Sequence, residues 1–394
     1  MDLHISDKVE GEIDYDYLIS NFGTQRIDDA LIERLERITG EPAHSLLKNG
    51  VFFSHRDLDK FLDHVEAGGK CYIYTGRGPS SASLHIGHLV PFVFAKYLQQ
   101  VFDATLVIQI TDDEKFLFRD MTWDQVKEYA LETLKDIISL DFDPVKTIVF
   151  MNSTYMGSLY PTVLRIQKCI TVNQAKAIFG FKVGDDEESD CIGKIAFSAT
   201  QIAPCFPSCF PMLDISKEDN IMCIVPCAID QDPFFRIARD VAPKLGYNKP
   251  VIIHSKFIPG LNGPIGKMSA SAGESAIFVN DSPQQIRKKI NRAFSGGRET
   301  VEEHRRLGGN PDIDVAYQYI RLFDVNSTQE ELNELAEAYR RGDILSEEMK
   351  RRAIEVIVAL VVELQNDRSQ LYIDFEDLNV PRAHCIDILR SITP

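Results

Sequence analysis

The sequence predicts an α/β protein in which helices cover both faces of a parallel β-sheet and an all-helical region follows. Short apolar runs alternate with helical patterns between residues 71 and 254, as they do where parallel strands are buried on both faces. From about residue 283 onward the apolar runs stop, and apolar residues recur only at helical spacing. These patterns divide the chain into a sheet-building part and a helical part.

The individual elements follow from the same periodicities. Ile27, Leu31 and Leu35 recur every four residues and predict a helix within an acidic N-terminal stretch. Ser83 is a candidate N-cap for the helix after the first strand. The predicted strands cover residues 71–75, 105–111, 147–151, 221–226 and 250–254. The predicted helices cover residues 85–100, 123–140, 232–245, 328–341, 346–365 and 381–390.

Near residue 283 the alternation of strands and helices gives way to helical spacing alone, and this change also predicts a domain boundary. A helix is expected to start at Pro283, because Ser282 and Gln285 form a capping-box pattern, and Phe294 would be the last residue of its apolar stripe. We therefore expect three parts, which are an N-terminal extension at 1–50, a sheet-containing domain with a helical insert at 51–282, and a helical domain at 283–394.

Composition excludes several classes of protein. The 394 residues are 44% hydrophobic and 26% charged, which is the mix of a folded domain with a sizeable core. No apolar run is long enough for a membrane span, and the first residues lack the apolar segment of a secretory signal. The 8 cysteines are too few for a disulfide scaffold, so we expect a reducing, cytoplasmic location. A net charge of −16 excludes indiscriminate coating by nucleic acid.

The loop and helix after the first predicted strand carry the first functional motif. Ligands bind beyond the carboxyl ends of such strands, where a helix N-terminus offers N–H groups to phosphate. His85 and His88 lie on one face of that helix, and Arg77 adds a charge from the loop. Gly87 leaves room for a flat base to approach the backbone. A helix start that carries two histidines without a ligand remains the alternative.

A second motif, GKMSAS at 266–271, lies in a loop rich in Gly and Pro after the last apolar strand. Lys267 is a mobile cation, and Ser269 and Ser271 are small hydrogen-bond donors. A flexible loop of this kind can close over a triphosphate and stabilise the charge that moves to pyrophosphate. Taken alone, this segment also fits an ordinary surface loop, but the combination of both motifs on one sheet is specific.

TGRGPSSASLHIGH and GKMSAS together resemble the two signatures of class I aminoacyl-tRNA synthetases. Four further stretches resemble the eukaryotic and archaeal branch of the tryptophanyl-tRNA synthetases, and the resemblance covers about residues 50–390. One departure from the general class pattern is Ala270, where many members carry a second lysine. The four stretches are QITDDEKFLF, FSATQIAPCFP, CAIDQDPFFRIARDVAPKLGY and AFSGGRETVEEHRRLGGN.

The resemblance implies a reaction and its cofactors. It implies that L-tryptophan reacts with ATP, with Mg²⁺ on the triphosphate, and is then transferred to tRNA(Trp). The implied fold is a Rossmann-like catalytic domain followed by a helical anticodon-binding domain. The implied catalytic residues are His85, His88, Lys267 and Arg77. The implied ATP-binding residues are Gly76, Gly87, Met268, Ser269, Ser271 and Asp230, although Asp230 also fits a supporting role.

A tryptophan pocket has its own physical requirement. Indole is apolar with a single N–H donor, so a selective pocket needs one acceptor in apolar surroundings. Tyr74 and Gln109 are polar residues in otherwise apolar strands, and by resemblance both face the indole nitrogen. Alternatively, these two polar side chains pair with partners inside the sheet and do not contact a ligand. The other tryptophan-binding residues implied by the resemblance are Glu114, Phe197, Gln201 and Gln231.

Three other functions and a metal site compete with this interpretation. A tyrosyl-tRNA synthetase shares the fold, a small-molecule nucleotidylyltransferase uses a similar histidine motif, and a non-catalytic relative would have lost the signatures. The cysteine spacing permits a metal site, but structural zinc sites more often have two-residue gaps, so we expect ordinary thiols and no metal. The cysteines concerned are Cys205, Cys209, Cys223 and Cys227.

The charge is unevenly distributed, and this bears on the expected partners. Residues 1–50 and the acidic segment 182–190 hold most of the excess negative charge, whereas residues 287–306 carry a net +4. We expect the basic stretch to contact the tRNA backbone, although a solvated helix face is the alternative. By resemblance the chain forms a homodimer that tRNA spans, and apolar helices at 155–181 are candidates for the shared surface. The expected tRNA-binding residues are Lys288, Arg292 and Arg298.

Overall fold

The computed structural model describes residues 14–181, 190–213, 220–263, 268 and 275–369. Within them the chain forms a sheet of seven strands surrounded by helices. The strands are β1 (Gln25–Arg26), β2 (Phe52–Arg56), β3 (Cys71–Arg77), β4 (Thr105–Ile110), β5 (Thr147–Met151), β6 (Met222–Ala228) and β7 (Val251–Ser255).

The sheet has the order β1-β2-β7-β6-β3-β4-β5. The five strands from β7 to β5 are parallel, and β2 and β1 add an antiparallel edge. From β3 the chain crosses to β4 and β5 on one side, and from β6 it crosses to β7 on the other. The strand order therefore reverses between β3 and β6, and the crevice at their carboxyl ends is where such folds bind ligands.

Helices fill the connections between the strands, and they are the only long regular elements among the described residues after β7. The helices before β6 are α1 (Tyr15–Phe22), α2 (Asp29–Thr39), α3 (Ser45–Lys48), α4 (Leu58–Glu66), α5 (Ile86–Phe102), α6 (Asp112–Phe118), α7 (Trp123–Ile138), α8 (Asn152–Cys169), α9 (Val172–Phe179) and α10 (Ile192–Ile202). The later helices are α11 (Asp232–Leu245), α12 (Pro283–Arg292), α13 (Val301–Leu307), α14 (Val315–Phe323), α15 (Gln329–Arg341) and α16 (Ser346–Ser369).

The sheet separates two apolar cores, and alternation along β3 shows how. Ile73 packs on the face covered by α5, whereas its neighbours Tyr72 and Tyr74 pack on the face covered by α8, α10 and α11, as the two-residue period of a strand requires. The first core continues without interruption into the helical region, where it includes Ile286 of α12 and Ile357 of α16. The described helices after β7 are thus packed onto one face of the sheet.

The structure confirms the α/β prediction and all five predicted parallel strands. The predicted capping box of Ser282 and Gln285 is present at the start of α12. The antiparallel strands β1 and β2 were not predicted. The predicted helix at 381–390 and nearly all of the acidic segment 182–190 lie outside the described residues, and the proposed domain boundaries stay a prediction.

Two local predictions at helix ends are wrong. The N-cap of α5 is His85 rather than Ser83, because residues on either side of His85 pair with a distant segment and keep the chain extended up to that point. The helix α12 ends at Arg292, so Phe294 lies outside it. The backbone N–H of Phe294 instead donates to the carbonyl of Leu261, and its ring is 39% exposed.

Candidate active site

A cavity of about 550 Å³ lies at the carboxyl ends of β3, β6 and β7, beside the point where the strand order reverses. The helices α5, α6 and α11 start at this edge, and residues at or next to their N-termini line the cavity. The cavity has the size and position expected for a small-molecule site in an open α/β sheet. The predicted site residues that line it are Tyr74, Gly76, Arg77, His85, Gly87, His88, Glu114, Phe197, Gln201, Asp230, Gln231 and Met268.

The two histidines of the first motif form a stacked pair at the N-terminus of α5. Their ring centroids are 3.3 Å apart, and the backbone N–H of His88 donates to the carbonyl of His85 over 2.8 Å. The backbone N–H of His85 donates to His88 Nδ1 over 3.3 Å. Because Nδ1 accepts this bond, the neutral ring of His88 carries its proton on Nε2. The pair adds donors to a helix end that already favours anions.

A short pairing with a distant segment holds these histidines in place. The backbone N–H of Ile86 donates to the carbonyl of Ile277, and that of Val279 donates to the carbonyl of Leu84, both over 2.9 Å. The backbone N–H of Leu84 donates to the buried carboxylate of Asp136, also over 2.9 Å. The start of α5 is therefore fixed from two sides, by residues that follow the second motif and by α7.

Glycines keep the backbone accessible at the places where the chain passes closest to the cavity. A Cβ atom at Gly87 would lie 3.2 Å from His85 Nδ1, so any side chain there would crowd the histidine pair. A Cβ atom at Gly76 would lie 2.8 Å from the carbonyl oxygen of Gln109, closer than real Cβ atoms approach. Met268 closes the opposite wall, and its backbone N–H donates to the carbonyl of Ile258 over 2.9 Å.

Tyr74 lies in the middle of β3 and lines the cavity. Its hydroxyl is 2.5 Å from Gln109 Oε1 and 2.6 Å from the backbone carbonyl oxygen of Gln201. Burial raises the pKa of Tyr74 well above its usual value, so the phenol stays protonated. Gln109 is fully buried beneath Tyr74 and is not among the residues that line the cavity, so it reaches the site through the tyrosine.

An acidic group and an aromatic wall flank Tyr74. Glu114 Oε2 accepts from Thr111 Oγ1 over 2.9 Å, and Oε1 accepts from Lys115 Nζ over 2.7 Å. Phe197 is buried and makes edge contacts with Phe118 and Phe234. A carboxylate beside an apolar aromatic surface suits a ligand that combines an ammonium group with a flat ring.

The turn between β6 and α11 contributes Asp230 and Gln231, and a buried ion pair supports it. Arg56 donates to both carboxylate oxygens of Asp232, over 2.7 and 2.8 Å. Asp232 also accepts from His254 Nε2 over 3.0 Å. Burial raises the pKa of Asp232, but these hydrogen bonds outweigh it and lower the pKa to about 2. The first residue of α11, directly after Gln231, is therefore anchored as an anion.

The same cluster resembles a hydrolase triad in its residue types but not in its accessibility. Ser54 Oγ lies 3.0 Å from His254 Nδ1, which completes a row from Ser54 through His254 to Asp232. All three side chains are fully buried, and none lines the cavity. A nucleophile must meet its substrate, so this row is a structural anchor rather than a catalytic group.

Sequence reasoning missed several cations that line the cavity. Lys256 follows β7 directly, and burial and the nearby arginines lower its pKa. Its position could have been predicted, because the carboxyl ends of neighbouring parallel strands meet at one edge of the sheet. Lys115 stands beside Glu114 in a stretch that the resemblance had singled out, but Lys194 and Arg119 belong to segments without such a signal.

Some predicted site residues lie elsewhere. Lys267, Ser269 and Ser271 fall outside the described residues. Lys288 and Arg292 are exposed on α12, and Arg298 is exposed in the loop that follows, with Nε donating to the carbonyl of Gly308 over 3.0 Å. None of these three residues lines the cavity.

The cysteines that could have formed a metal site are buried free thiols. Burial raises the pKa of Cys205 and of Cys227 well above the usual value, which favours the thiol over the metal-binding thiolate. Among the described residues, no group of three or more His, Cys, Asp or Glu side chains is arranged to hold a metal ion. No helix in the described part of the chain is long and apolar enough to cross a membrane.

Comparison with known proteins gives the family. The profile of the family described as tRNA synthetases class I (W and Y) matches residues 66–362. The cytoplasmic tryptophan–tRNA ligase of Schizosaccharomyces pombe is 50% identical over 370 residues, which are 93% of this chain and 92% of that protein. The human enzyme of the same name is 50% identical over 363 residues, which are 91% of this chain and 75% of that protein.

A solved structure agrees with the sequence comparisons. The tryptophanyl-tRNA synthetase of Encephalitozoon cuniculi, bound to tryptophan, is 40% identical with a TM-score of 0.84, and the match covers 98% of this chain and 99% of that one. The likeness thus extends over the sheet, the cavity and the helical region together. The chain belongs to the class I tRNA synthetases and, within them, to the family of tryptophan–tRNA ligases.

Proposed function

We propose that the cavity at the switch point of the sheet is where this chain carries out the tryptophan–tRNA ligase reaction. L-Tryptophan and ATP give enzyme-bound tryptophanyl-adenylate and pyrophosphate. The terminal ribose hydroxyl of tRNA(Trp) then attacks the adenylate carbonyl, and AMP leaves. The observation that carries this proposal is that one cavity brings the stacked His85 and His88 together with Tyr74, Glu114 and Phe197.

The first step needs no protein nucleophile. The carboxylate of tryptophan attacks the α-phosphate in line with the leaving pyrophosphate, so the protein contributes positioning and charge stabilisation. Arg77 and Lys267 supply positive charge, the histidines and the helix N-terminus supply hydrogen-bond donors, and the buried Ser54 row plays no part. In our proposal the phosphate-binding groups are His85, His88, Arg77 and Lys267, with Ser269 and Ser271 beside them. Gly76, Gly87 and Met268 receive the adenosine, and Asp230 contacts the ribose.

Tryptophan occupies the side of the cavity formed by β3, α6 and α10. Tyr74 accepts the indole N–H and is itself held by Gln109, while Phe197 packs on the ring. The α-ammonium group lies against Glu114, with amide partners from Gln201 and Gln231. A single sieve of this kind suffices, because an analogue that lacks the matching donor leaves a buried acceptor unpaired and loses a factor of about 10⁴ or more in favourable cases.

Mg²⁺ is proposed as the companion of the triphosphate rather than as a resident of the protein. The side chains proposed to face the phosphates are hydrogen-bond donors, and the described residues hold no ready-made set of metal ligands. A divalent ion carried by phosphate oxygens and water fits such a site, since Mg²⁺ keeps several waters when it is bound with nucleotides. The chemistry that it supplies is neutralisation of the triphosphate.

The helical region is proposed to hold tRNA, and the enzyme to work as a homodimer in the cytoplasm. Lys288 and Arg292 are exposed on α12, and Arg298 is exposed in the loop that follows, so all three can contact a phosphate backbone. On α8, Tyr160 and Leu164 are apolar, one helical turn apart and about half exposed, as residues of a subunit surface would be in a single chain. The location follows the curated relatives, which are named cytoplasmic.

The assignment of Glu114 offers a direct test of the amino-acid site. In tryptophan-dependent ATP–pyrophosphate exchange, Glu114→Gln should raise the KM for tryptophan by about tenfold, because a charge-assisted bond to the α-ammonium is lost, while the KM for ATP changes little. Glu128→Gln, at an exposed position on α7, is the matched control and should behave as wild type. An unchanged KM for tryptophan in Glu114→Gln would place the ammonium elsewhere.

A further inference from the structure

A row of hydrogen bonds leads from Tyr74 away from the cavity into the sheet. Gln109 Oε1 accepts from Tyr74, and Gln109 Nε2 donates to Asn152 Oδ1 over 2.8 Å. Asn152 Nδ2 in turn donates to Asp113 Oδ1 over 2.7 Å. Asn152 is fully buried and follows β5 directly, so the carboxyl ends of β3, β4 and β5 are joined through side chains at the floor of the site.

Each bond in the row fixes the direction of the next. Asp113 Oδ1 also accepts from the backbone N–H of Glu114 over 2.9 Å, so this oxygen is an acceptor and Asn152 must turn its amide nitrogen toward it. Burial raises the pKa of Asp113 to about 7, and a proton taken up by the carboxyl group would reside on the other oxygen. Asn152 then presents its oxygen to Gln109, whose Nε2 is also 3.3 Å from the carbonyl of Thr200. Both neighbours of the Gln109 nitrogen are acceptors, and the Gln109 oxygen is left to face Tyr74.

These bond directions determine which kind of group the hydroxyl of Tyr74 can bind. Its two partners in the described part of the chain, Gln109 Oε1 and the carbonyl of Gln201, are both acceptors, and a phenol has a single proton to share between them. No described residue donates to the oxygen, so its lone pairs are open to a donor from the cavity. An indole N–H is such a donor, whereas a second acceptor would be repelled.

We propose that Asn152, together with Asp113, is a positioning residue that sets selectivity for an N–H-bearing ring by holding Tyr74 as an acceptor. This inference rests on the proposed function. Without Asn152, the Gln109 amide can rotate by half a turn and donate to Tyr74, which then uses its lone pair within the protein. The ligand-binding acceptor would be weakened even though Tyr74, Gln109 and the cavity remain.

The position of Asn152 supports a role beyond helix formation. It is the first residue of α8, but the N-cap is Met151, and the Asn152 side chain points to Gln109 and Asp113 instead of capping its own helix. A fully buried amide carries a desolvation penalty that an apolar residue would avoid. The amide is therefore useful for the direction of its bonds rather than for packing.

The experiment compares tryptophan with β-(benzothiophen-3-yl)-L-alanine, in which sulfur replaces the indole N–H in a ring of nearly the same shape. The ratio of the kcat/KM values for the two amino acids is measured by ATP–pyrophosphate exchange. Asn152→Leu should lower this ratio by about tenfold, the effect of one misdirected hydrogen bond, with little change in the KM for ATP. Thr154→Val, in the same turn of α8, has no contact with Gln109 and should keep the wild-type ratio.

A conservative variant separates the effect of hydrogen-bond direction from the effect of side-chain packing. Asn152→Asp retains an oxygen acceptor for Gln109 Nε2. The new carboxyl group lies against Asp113, whose pKa burial already raises to about 7, so the two share a proton at about pH 6 and the ratio measured there should stay within about twofold of wild type. Tyr74→Phe removes the acceptor and marks the lowest ratio that the site can reach. If Asn152→Leu does not fold, Asn152→Ala removes the same amide and carries the same expectation. If both of these variants are unstable, the test rests on Asn152→Asp. A ratio as low as that of Tyr74→Phe overturns the inference, and a ratio near that of wild type supports it.

The outcomes distinguish this inference from the function on which it rests. A wild-type enzyme that prefers tryptophan, together with an unchanged ratio in Asn152→Leu, overturns the role of Asn152 and leaves the proposed function intact. A wild-type enzyme without tryptophan-dependent exchange overturns the proposed function, and the inference falls with it. A lowered ratio in Asn152→Leu alongside wild-type behaviour of Thr154→Val supports both.

Discussion

Arg368, near the end of α16, forms an ion pair with the buried carboxylate of Asp136 on α7, and Arg368 Nε lies 2.7 Å from Asp136 Oδ1. The other carboxylate oxygen of Asp136 accepts from the backbone N–H of Leu84, directly before His85. One helical turn earlier on α16, Gln365 donates to the carbonyls of Val279 and Asp281, over 2.8 and 3.0 Å. The last described turns of α16 therefore hold both segments that frame His85 and His88.

The first prediction concerns Arg368→Met. Burial raises the pKa of Asp136 to about 6 against the opposing effects of Leu84 and Arg368, so losing the arginine raises it further. Protonation then weakens the bond to Leu84, and kcat for pyrophosphate exchange should fall as the pH is lowered from about 8 to about 6, by about tenfold at the lower end. Arg368→Lys keeps the charge and should restore most of the rate. A pH profile of kcat identical to wild type would contradict this link.

The second prediction concerns stability in acid. The pKa of Asp232 is lowered to about 2, so its contribution is present above the unfolded pKa of about 4 and is lost as pH falls toward about 2. Arg56→Met removes a partner and raises this pKa, which should reduce stability by on the order of 2 kcal/mol near neutral pH. Melting temperatures are compared at about pH 7 and at about pH 3, which lies inside the range in which the wild-type contribution is lost. The melting temperature of the variant should fall less on acidification than that of wild type, and equal falls would contradict the account.

The third prediction concerns Gly87→Ala. The added methyl group would lie 3.2 Å from His85 Nδ1 and 3.4 Å from the Cβ of Ile258, so the histidine ring must shift by tenths of an ångström. We expect kcat/KM for ATP to fall by about tenfold or more, because small displacements of positioning groups are costly in rate. The KM for tryptophan, which in our proposal binds on the other side of the cavity, should stay near its wild-type value. A parallel rise in both KM values would indicate general disruption instead.

The fourth prediction concerns the basic surface of α12. Reversing Lys288 and Arg292 to glutamate should raise the KM for tRNA several-fold and flatten its dependence on salt, because phosphate contacts release counterions. Pyrophosphate exchange, which does not involve tRNA, should be unaffected. Arg341→Glu is the control, since Arg341 is exposed on α15 and already paired with Glu334 and Asp343. An unchanged KM for tRNA would show that this surface is not the contact.

The sheet could be predicted where burial leaves its mark on the sequence. The five parallel strands are apolar because both of their faces are covered, and that pattern is visible without a structure. The antiparallel β2 reads FFSHR, whose polar half belongs to the buried Ser54 and Arg56 network. Its pairing depends on partners almost two hundred residues away, and no local period reports it.

The site could be predicted where chemistry is concentrated in short motifs. Arg77, His85, Gly87 and His88 lie within a dozen residues of one another, so the motif that they form can be recognised from the sequence alone. The cap at His85 was predicted wrongly, because pairing with residues 277–279 overrides the local signal of Ser83. Asn152 was not predicted, since its importance arises only from the residues that folding brings beside it.

The central claim, that this cavity activates tryptophan, is tested most directly by ATP–pyrophosphate exchange measured with each of the twenty amino acids in turn. We expect exchange that depends on tryptophan and falls by orders of magnitude in His85→Ala, while tyrosine and phenylalanine give little or none. Exchange that depends on tyrosine, or the absence of exchange with any amino acid, would contradict the claim.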